Sequence, residues 1–283
     1  MSAGNATIDS ARTPPASFYT DPEQLTRESR TVLPRSWQYV GHTGQLRAHG
    51  DYFTTRIGRE PLLFLRDGEL VRGYFNVCRH RAGPLAQGCG HANRIVCRYH
   101  GWTYSLQGQL LRAAEMDGAQ PFDPAGIRLE PVQVHVLGPM IFAALDPQTP
   151  PFDGFHADLA AQCAPFQLER MQHVLTRDYP VAANWKLYVD NYLEGYHVPL
   201  VHPALNREID YKSYVTVLGA HHVLQHAPAP GQCRDSRWGR AHCRALRLVC
   251  ARCRSAARSG PYSPVRETGV QLFHRLMLPG GEP

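Results

Sequence analysis

The pattern of apolar and polar positions predicts short β-strands over much of the first half of the chain. Three segments rich in β-branched and aromatic residues have the length of strands: Tyr52–Arg56, Leu62–Arg66 and Leu70–Asn76. Asp67-Gly68 lies between the last two and indicates a tight hairpin turn. A second hairpin is predicted from Val132–Val136 and Met140–Leu145, which flank Gly138-Pro139. Together these elements predict a small all-β domain of roughly 100 residues.

Helical patterns lie on both sides of this β region. Asp21 has the features of an N-cap and Pro22 occupies the first helical position, so a short helix is predicted to about Arg35. Asp158–His173 has a second helical pattern. Tyr214–Leu224 is rich in β-branched residues and predicts a strand.

These patterns divide the chain into five segments. They are a flexible leader (1–17), an N-terminal helix (18–36), the β domain (37–148), a second domain (149–232) and an atypical tail (233–283). The predicted fold class is α+β, an all-β domain followed by a domain that mixes helices with strands.

Composition changes this picture only at the tail. The net charge is +6, but the segment from Cys233 onward has ten Arg, no Lys and three acidic residues, which leaves the rest of the chain close to neutral. No basic stripe interleaved with aromatic residues runs through the body, so we expect no nucleic-acid partner. The tail shows neither strand nor helix periodicity, and this predicts a poorly ordered segment read out of frame. The alternative is a natural basic tail that binds metal or nucleic acid.

The chain lacks the features of a membrane or secreted protein. The longest apolar run, Val136–Leu145, has ten residues, whereas a membrane span needs about 20. The first twenty residues contain no apolar core of signal-peptide length. We therefore expect no membrane partner and a cytoplasmic location, where eight cysteines favour metal ligands over disulfides.

Two short Cys/His pairs carry the clearest chemical signal in the sequence. Cys78-Arg79-His80 and Cys97-Arg98-Tyr99-His100 each offer one thiolate and one imidazole. A Rieske [2Fe–2S] centre holds one iron with two Cys and the other with two His, so it needs one Cys and one His from each of two loops. These four residues are therefore predicted to ligate such a cluster.

Zinc binding is the alternative for these cysteines and histidines. A Cys2His2 zinc site usually pairs two Cys and two His separately, unlike the mixed pairs seen here. Cys89 and His91 lie between the two pairs but off the pattern, and we interpret them as surface residues. A zinc-dependent regulatory protein would instead use donors of the tail: Cys233, His242, Cys243, Cys250 and Cys253.

A second constellation follows further along the chain. His197 and His202 are five residues apart, with Pro199 between them and Glu194 just before them. Non-haem Fe(II) oxygenases use two His and one carboxylate on one face of the metal, which leaves positions for O₂ and substrate. A pair of histidines beside a proline is also compatible with a purely structural role.

The sequence around both constellations closely resembles that of the α subunits of Rieske non-haem iron oxygenases. The resemblance rests on NVCRHR from Asn76, CRYHGWTY from Cys97, NWK from Asn184 and DNYLEGYHVPLVHP from Asp190. It implies an all-β Rieske domain followed by an α+β catalytic domain, an antiparallel sheet with helices, against which the N-terminal helix (18–36) packs. It also implies that Gly83-Pro84 shields the cluster and that Arg81 and Trp102 contact it.

The same resemblance assigns roles in the second constellation. It implies that His197 and His202 bind a mononuclear Fe(II), that Glu194 bridges the two metal centres, and that Asn191 is a polar residue near the iron. Asp190 is more simply interpreted as a helix-surface acid. Glutamate at position 194, within NYLEGYH, is similar to members that act on glycine betaine, choline or carnitine.

The resemblance also implies partners. Electrons would come from an NAD(P)H-dependent reductase or a ferredoxin, and O₂ would hydroxylate or demethylate a small organic substrate, as in the breakdown of aromatic compounds. Glu194 would link His197 to a cluster histidine, most simply His100, of a neighbouring subunit in a homotrimer.

One iron ligand is missing from the pattern. The family takes its third ligand, an aspartate, from far downstream of the second His, whereas the acids available here are Asp235, Glu267 and Glu282, none in a matching context. The catalytic domain is therefore expected to be incomplete and coupled oxygenation to be weak or absent. A Rieske ferredoxin that only carries electrons is the alternative function.

Overall fold

The computed structural model describes residues 12–164, 167–177, 179–218 and 223–227. The tail, with its acids, cysteines and His242, therefore lies outside the described residues, as does most of the predicted leader. Within the described part, no helix is both long and apolar enough to cross a membrane.

Two short helices open the described chain, α1 (Ser17–Thr20) and α2 (Pro22–Thr31). The Asp21 carboxylate accepts a hydrogen bond from the amide of Glu23 at 2.8 Å, which confirms the predicted N-cap. Helix α2 ends at Thr31, so the predicted end at Arg35 is wrong. Pro34 accounts for the difference, because a proline disfavours the helical conformation in the residue before it.

The β domain contains ten strands in three sheets. They are β1 (Gln38–His42), β2 (Asp51–Ile57), β3 (Glu60–Asp67), β4 (Leu70–Phe75), β5 (Cys89–His91), β6 (Ile95–Val96), β7 (Thr103–Tyr104), β8 (Leu110–Arg112), β9 (Gln133–Leu137) and β10 (Met140–Ala144). The sheet orders are β4-β3-β2-β5, β1-β10-β9 and β6-β7-β8. Neighbouring strands in all three sheets are antiparallel, which confirms the predicted all-β domain and both predicted hairpins.

Strand β3 is buried on both faces and separates two parts of the core. Leu62 and Phe64 face one cluster of apolar side chains, and Leu63 and Leu65 face the other. Because both faces of β3 are covered, the strand does not need alternating apolar and polar residues and can be an unbroken apolar run. The cluster on the Leu63 side includes Cys78, so the thiols of the predicted metal site belong to the hydrophobic core itself.

The first helix of the second domain differs from its prediction. Helix α3 runs from Phe152 to Cys163, not from Asp158 to His173. Phe152 is buried against Trp37 and Phe142, and these aromatic contacts hold the start of the helix earlier in the chain. Beyond the helix, Gln167 has a left-handed φ of 48°, which is incompatible with a continuous helix to His173.

The remaining elements carry the second constellation. They are α4 (Trp185–Leu193), α5 (Val198–Val201), α6 (Pro203–Asn206) and the antiparallel pair β11 (Val215–Leu218) and β12 (Val223–His226). The single strand predicted over Tyr214–Leu224 is therefore a hairpin. Asn184 caps α4, since its side-chain oxygen accepts a hydrogen bond from the Lys186 amide at 3.1 Å.

Candidate functional site

The first Cys/His loop follows β4 and folds back over its own cysteine. The Cys78 amide donates to the carbonyl of Gly83 at 2.8 Å, and the Ala82 amide donates to the carbonyl of Cys78 at 3.0 Å. Ala82 has a φ of 56°, a left-handed conformation that costs a non-glycine residue about 1–2 kcal/mol. Closure of this loop therefore requires local backbone strain at Ala82.

The second Cys/His loop follows β6 and closes with the same pair of backbone hydrogen bonds. The Cys97 amide donates to the carbonyl of Trp102, and the Gly101 amide donates to the carbonyl of Cys97, both at 2.9 Å. Gly101 occupies the left-handed region with a φ of 71°, where glycine is favoured. The two loops thus present their cysteines in equivalent backbone settings.

The side chains of the two loops converge at one end of the β domain. Cys78 and Cys97 are almost completely buried, whereas the rings of His80 and His100 lie near the surface with centroids 4.7 Å apart. Burial raises the pKa of the Cys78 thiol, and the adjacent Cys97 contributes to the rise. Two buried thiols and two outward imidazoles are therefore brought together, as the sequence predicts.

Tyr104 contacts the cysteine side of this site, and the sequence analysis did not identify it. Its ring is fully buried, and its hydroxyl lies 3.2 Å from Cys78 Sγ. The same hydroxyl accepts a hydrogen bond from the Arg79 amide at 3.1 Å. Burial raises the pKa of the phenol, and the contact with Cys78 raises it further. The only sequence feature that could have indicated this role is the position of Tyr104 within the CRYHGWTY segment.

A third loop, around Gly83-Pro84, packs against the same thiols. A Cβ atom at Gly83 would lie 3.4 Å from Cys97 Sγ, so a larger side chain would crowd that sulfur. Buried Asn76 holds this loop: its Oδ1 accepts from the amides of Leu85 and Ala86 at 3.1 and 3.0 Å, and its Nδ2 donates to the carbonyl of Ala86 at 2.8 Å.

Trp102 covers the histidine side of the site. Its ring stacks on His80 with centroids 4.7 Å apart and planes 9° apart. Its Nε1 is buried and has no hydrogen-bond partner among the described residues. Arg81 is exposed, and its positive charge contributes to lowering the pKa of His100, after burial and His80. Both residues that the resemblance placed at the site are therefore near the imidazoles.

These donors fit a two-iron cluster better than a single ion. No three His, Cys, Asp or Glu side chains in the described part of the chain are arranged to hold one metal ion. A Rieske cluster needs only two protein ligands for each iron, two thiolates and two imidazoles, which is the donor set present. Cys89 and His91 stay apart from it, exposed on β5, where His91 contacts Asp51 at 3.1 Å.

The second constellation lies between α4 and α6. The rings of His197 and His202 have centroids 5.1 Å apart and planes at 75°. Glu194, the residue after α4, contacts His197 Nδ1 with its carboxylate and accepts from the His197 amide at 3.3 Å. Because Nδ1 faces the carboxylate, Nε2 of His197 is the ring nitrogen left for a metal.

Asn191 and Asp190 do not join this constellation. Asn191 is exposed on α4, and none of the hydrogen bonds described for Glu194 or His197 involves it. The Asp190 carboxylate accepts from the Tyr19 hydroxyl at 2.7 Å, so this acid does more than face solvent. The structure thus brings together three of the four residues predicted around the iron.

Comparison with known proteins places both constellations in known domains. Residues 36–123 match the model of a Rieske [2Fe-2S] domain, and residues 168–242 match the ring hydroxylating alpha subunit (catalytic domain). The second match extends ten residues beyond the boundary predicted at 232.

Relatives and solved structures agree with these matches. Choline monooxygenase of Arabidopsis thaliana is 35% identical over 224 residues, covering 75% of this chain and 53% of the relative. The glycine betaine monooxygenase oxygenase subunit of Chromohalobacter salexigens is 37% identical over 200 residues, covering 70% and 45%. This chain therefore spans about half the length of these curated relatives.

Two solved structures show the same architecture. The quaternary ammonium Rieske monooxygenase CntA superposes with a TM-score of 0.72 at 29% identity, covering 77% of this chain and 62% of that one. Naphthalene 1,2-dioxygenase from Rhodococcus sp. superposes with a TM-score of 0.68 at 25% identity, covering 77% and 54%.

Replacing Asn76 tests the support of the third loop. Asn76→Ala should lower the free energy of unfolding by about 1–3 kcal/mol, because the buried Leu85 amide and the half-buried amide and carbonyl of Ala86 lose their partner. The exposed Asn93→Ala is the matched control and should change stability by less than about 0.5 kcal/mol. Urea denaturation measures both, and equal stabilities for the two variants would contradict the role given to Asn76.

Proposed function

Because this chain belongs to the family of Rieske non-haem iron oxygenase α subunits, we propose that it receives electrons at its β domain and delivers them to a mononuclear iron site for O₂-dependent oxidation. The donor would be an NAD(P)H-dependent reductase or a ferredoxin. The observation that carries the proposal is the convergence of Cys78, Cys97, His80 and His100 on two loops with equivalent hydrogen bonding.

The residues of the β domain have distinct tasks in this proposal. Cys78 and Cys97 would hold one iron in the core, and His80 and His100 would hold the other near the surface. When bound, the [2Fe–2S] cluster supplies one-electron transfer, and the mononuclear Fe(II) supplies O₂ activation. With the cluster bound, the Tyr104 hydroxyl would donate the hydrogen bond to Cys78 Sγ, since a metal-bound thiolate has no proton to give.

His197 and His202 would bind the mononuclear iron, and Glu194 would orient His197. A carboxylate on the outer ring nitrogen fixes the tautomer and the orientation of a metal-binding imidazole. The contact between Glu194 and His197 within one chain supports this half of the bridging role. The other half would be a hydrogen bond that Glu194 accepts from the partner's His100 in a homotrimer. Sedimentation equilibrium of the full chain can test whether the trimer forms.

The third iron ligand stays open. The described residues offer His197 and His202, and the downstream acids Asp235, Glu267 and Glu282 lie outside them. Weak or absent coupled oxygenation therefore stays a prediction. An electron carrier without oxygenase activity would account for the Rieske domain but not for the matched catalytic domain.

Quaternary ammonium compounds are the substrate class that we propose. Support comes from glutamate at position 194 and from relatives named for choline and glycine betaine. The measurement is reductase-dependent product formation from choline, glycine betaine and carnitine, compared with benzoate. A preference for benzoate would contradict the proposal and favour the breakdown of aromatic compounds.

The cluster assignment predicts a difference between two cysteines. Cys97→Ala should abolish the visible iron–sulfur absorption of the purified chain, since a thiolate ligand is lost. Cys89→Ala removes an exposed cysteine on the neighbouring strand β5 and should leave the spectrum unchanged. Iron and sulfide analysis gives an independent readout. An unaltered spectrum in the Cys97 variant would rule out this ligand set.

The role of Glu194 predicts slower electron transfer without loss of the metals. Glu194→Ala should reduce the single-turnover rate roughly 10–100-fold, because the carboxylate that orients the ligand is gone. Stopped-flow absorbance of the reduced cluster measures the rate, and metal analysis checks occupancy. Exposed Glu169→Ala is the control. A wild-type rate in the Glu194 variant would exclude the bridging role.

A further inference from the structure

The Asn184-Trp185-Lys186 segment is bonded residue by residue to the N-terminal helices. Asn184 Nδ2 donates to the Tyr19 carbonyl at 3.0 Å. Trp185 Nε1 donates to Glu28 Oε2 at 3.0 Å, and Lys186 Nζ donates to the same oxygen at 2.5 Å. These contacts join positions more than 150 residues apart, so they define how α4 sits against α1 and α2.

The ion pair between Glu28 and Lys186 is almost completely buried. Their side chains are 5% and 6% exposed, which excludes the solvent screening that weakens a surface pair. The Lys186 ammonium also lies over the rings of Phe18 and Trp185, at 4.7 and 5.4 Å from their centroids. Such cation–π contacts strengthen when the ammonium is desolvated.

The carboxylate of Glu28 is satisfied on both oxygens. Oε1 accepts from Gln24 Nε2 at 2.6 Å, and Oε2 accepts from Lys186 and Trp185. Burial alone would raise the pKa of Glu28, but the hydrogen bonds from Lys186, Gln24 and Trp185 hold that pKa below its usual value. The Glu28 carboxylate is therefore charged at neutral pH. It stabilises α4 only in a position from which Lys186 and Trp185 reach it.

A further contact between α4 and α1 is the hydrogen bond from the Tyr19 hydroxyl to the Asp190 carboxylate, which lies on the exposed side of α4. Lys186 is the one residue of α4 that is buried among the described residues, while Leu187 and Leu193 of the same helix are half exposed. The helix ends at Leu193 and runs directly into Glu194 and His197. A rotation or shift of α4 would therefore move the carboxylate and the imidazole of the iron constellation together.

We propose that Glu28 and Lys186 are positioning residues that fix α4 and thereby set the placement of Glu194 and His197. The consequence of this inference for catalysis rests on the proposed function. The effect of the ion pair on the position of α4 is a property of the folded chain and does not depend on that function. It also explains why Asn184, Trp185 and Lys186 occur together: each supplies a different contact to the same N-terminal anchor.

Three variants of the full chain test the proposal: Lys186→Met, Glu28→Gln and the double variant. Each single change should speed amide hydrogen exchange over residues 185–197 at least about tenfold, because it breaks a buried charge pair that anchors the helix. Affinity for Co(II), used as the probe of the histidine pair, should fall about tenfold. The double variant leaves no unpaired charge and should recover most of both losses.

Two control variants separate positioning from general stability. Arg35→Gln breaks an exposed ion pair that ties the residues after α2 to Asp146 of the β domain, and Leu33→Ala creates a cavity in the β core. Neither should change exchange over 185–197 or Co(II) affinity more than twofold. The proposal is overturned when both single variants behave like the wild type, or when Leu33→Ala has the same effect as they do.

The outcomes also distinguish this proposal from the proposed function. Co(II) binding that survives His202→Ala unchanged would remove the iron-site assignment. Exchange over residues 185–197 would still decide the positioning role, because it needs no bound metal. The cluster spectrum should be the same in all five variants, and its loss in the Lys186 or Glu28 variants would show general unfolding and overturn the local role.

Discussion

Two thiols have to be buried side by side while two imidazoles reach the surface, and the architecture of the β domain follows from that constraint. Cys78 and Cys97 lie in the same apolar cluster as Leu63 and Leu65 of β3, so the domain core and the thiol site are one structure. Burying the polar main chain of these loops is costly without hydrogen-bond partners. The closing backbone bonds of both loops satisfy the main chain of the two cysteines, and the Tyr104 hydroxyl lies within hydrogen-bond distance of Cys78 Sγ.

The two Cys/His loops close in the same way but differ in sequence. Both close with hydrogen bonds to residues four and five positions after the cysteine, but the first places Ala82 in the left-handed conformation where the second has Gly101. The histidine follows its cysteine by two residues in one loop and by three in the other. This offset lets His80 stack on Trp102 while His100 stacks on Tyr99, so each imidazole has its own aromatic support.

The second domain depends on a different interaction, a charge pair between distant segments. Glu28 comes from α2 and Lys186 from α4, the helix that leads to Glu194. A buried pair of this kind adds less to stability than to specificity, because the desolvation of both charges offsets much of their attraction. What it supplies is a single placement of α4, and therefore of the short segment from Glu194 to His202.

The sequence by itself determined the elements, and indicated the candidate ligands, whose signals are local. The Asp67-Gly68 turn, the Asp21 cap and the paired Cys/His motifs each depend on neighbouring residues, whose identity restricts backbone geometry and donor chemistry directly. Tertiary packing decided the rest. Helix α3 begins at Phe152 because that ring finds Trp37, more than 100 residues away. Tyr104 meets Cys78, and Lys186 meets Glu28, for the same reason: each pairing depends on a partner that no local pattern can identify.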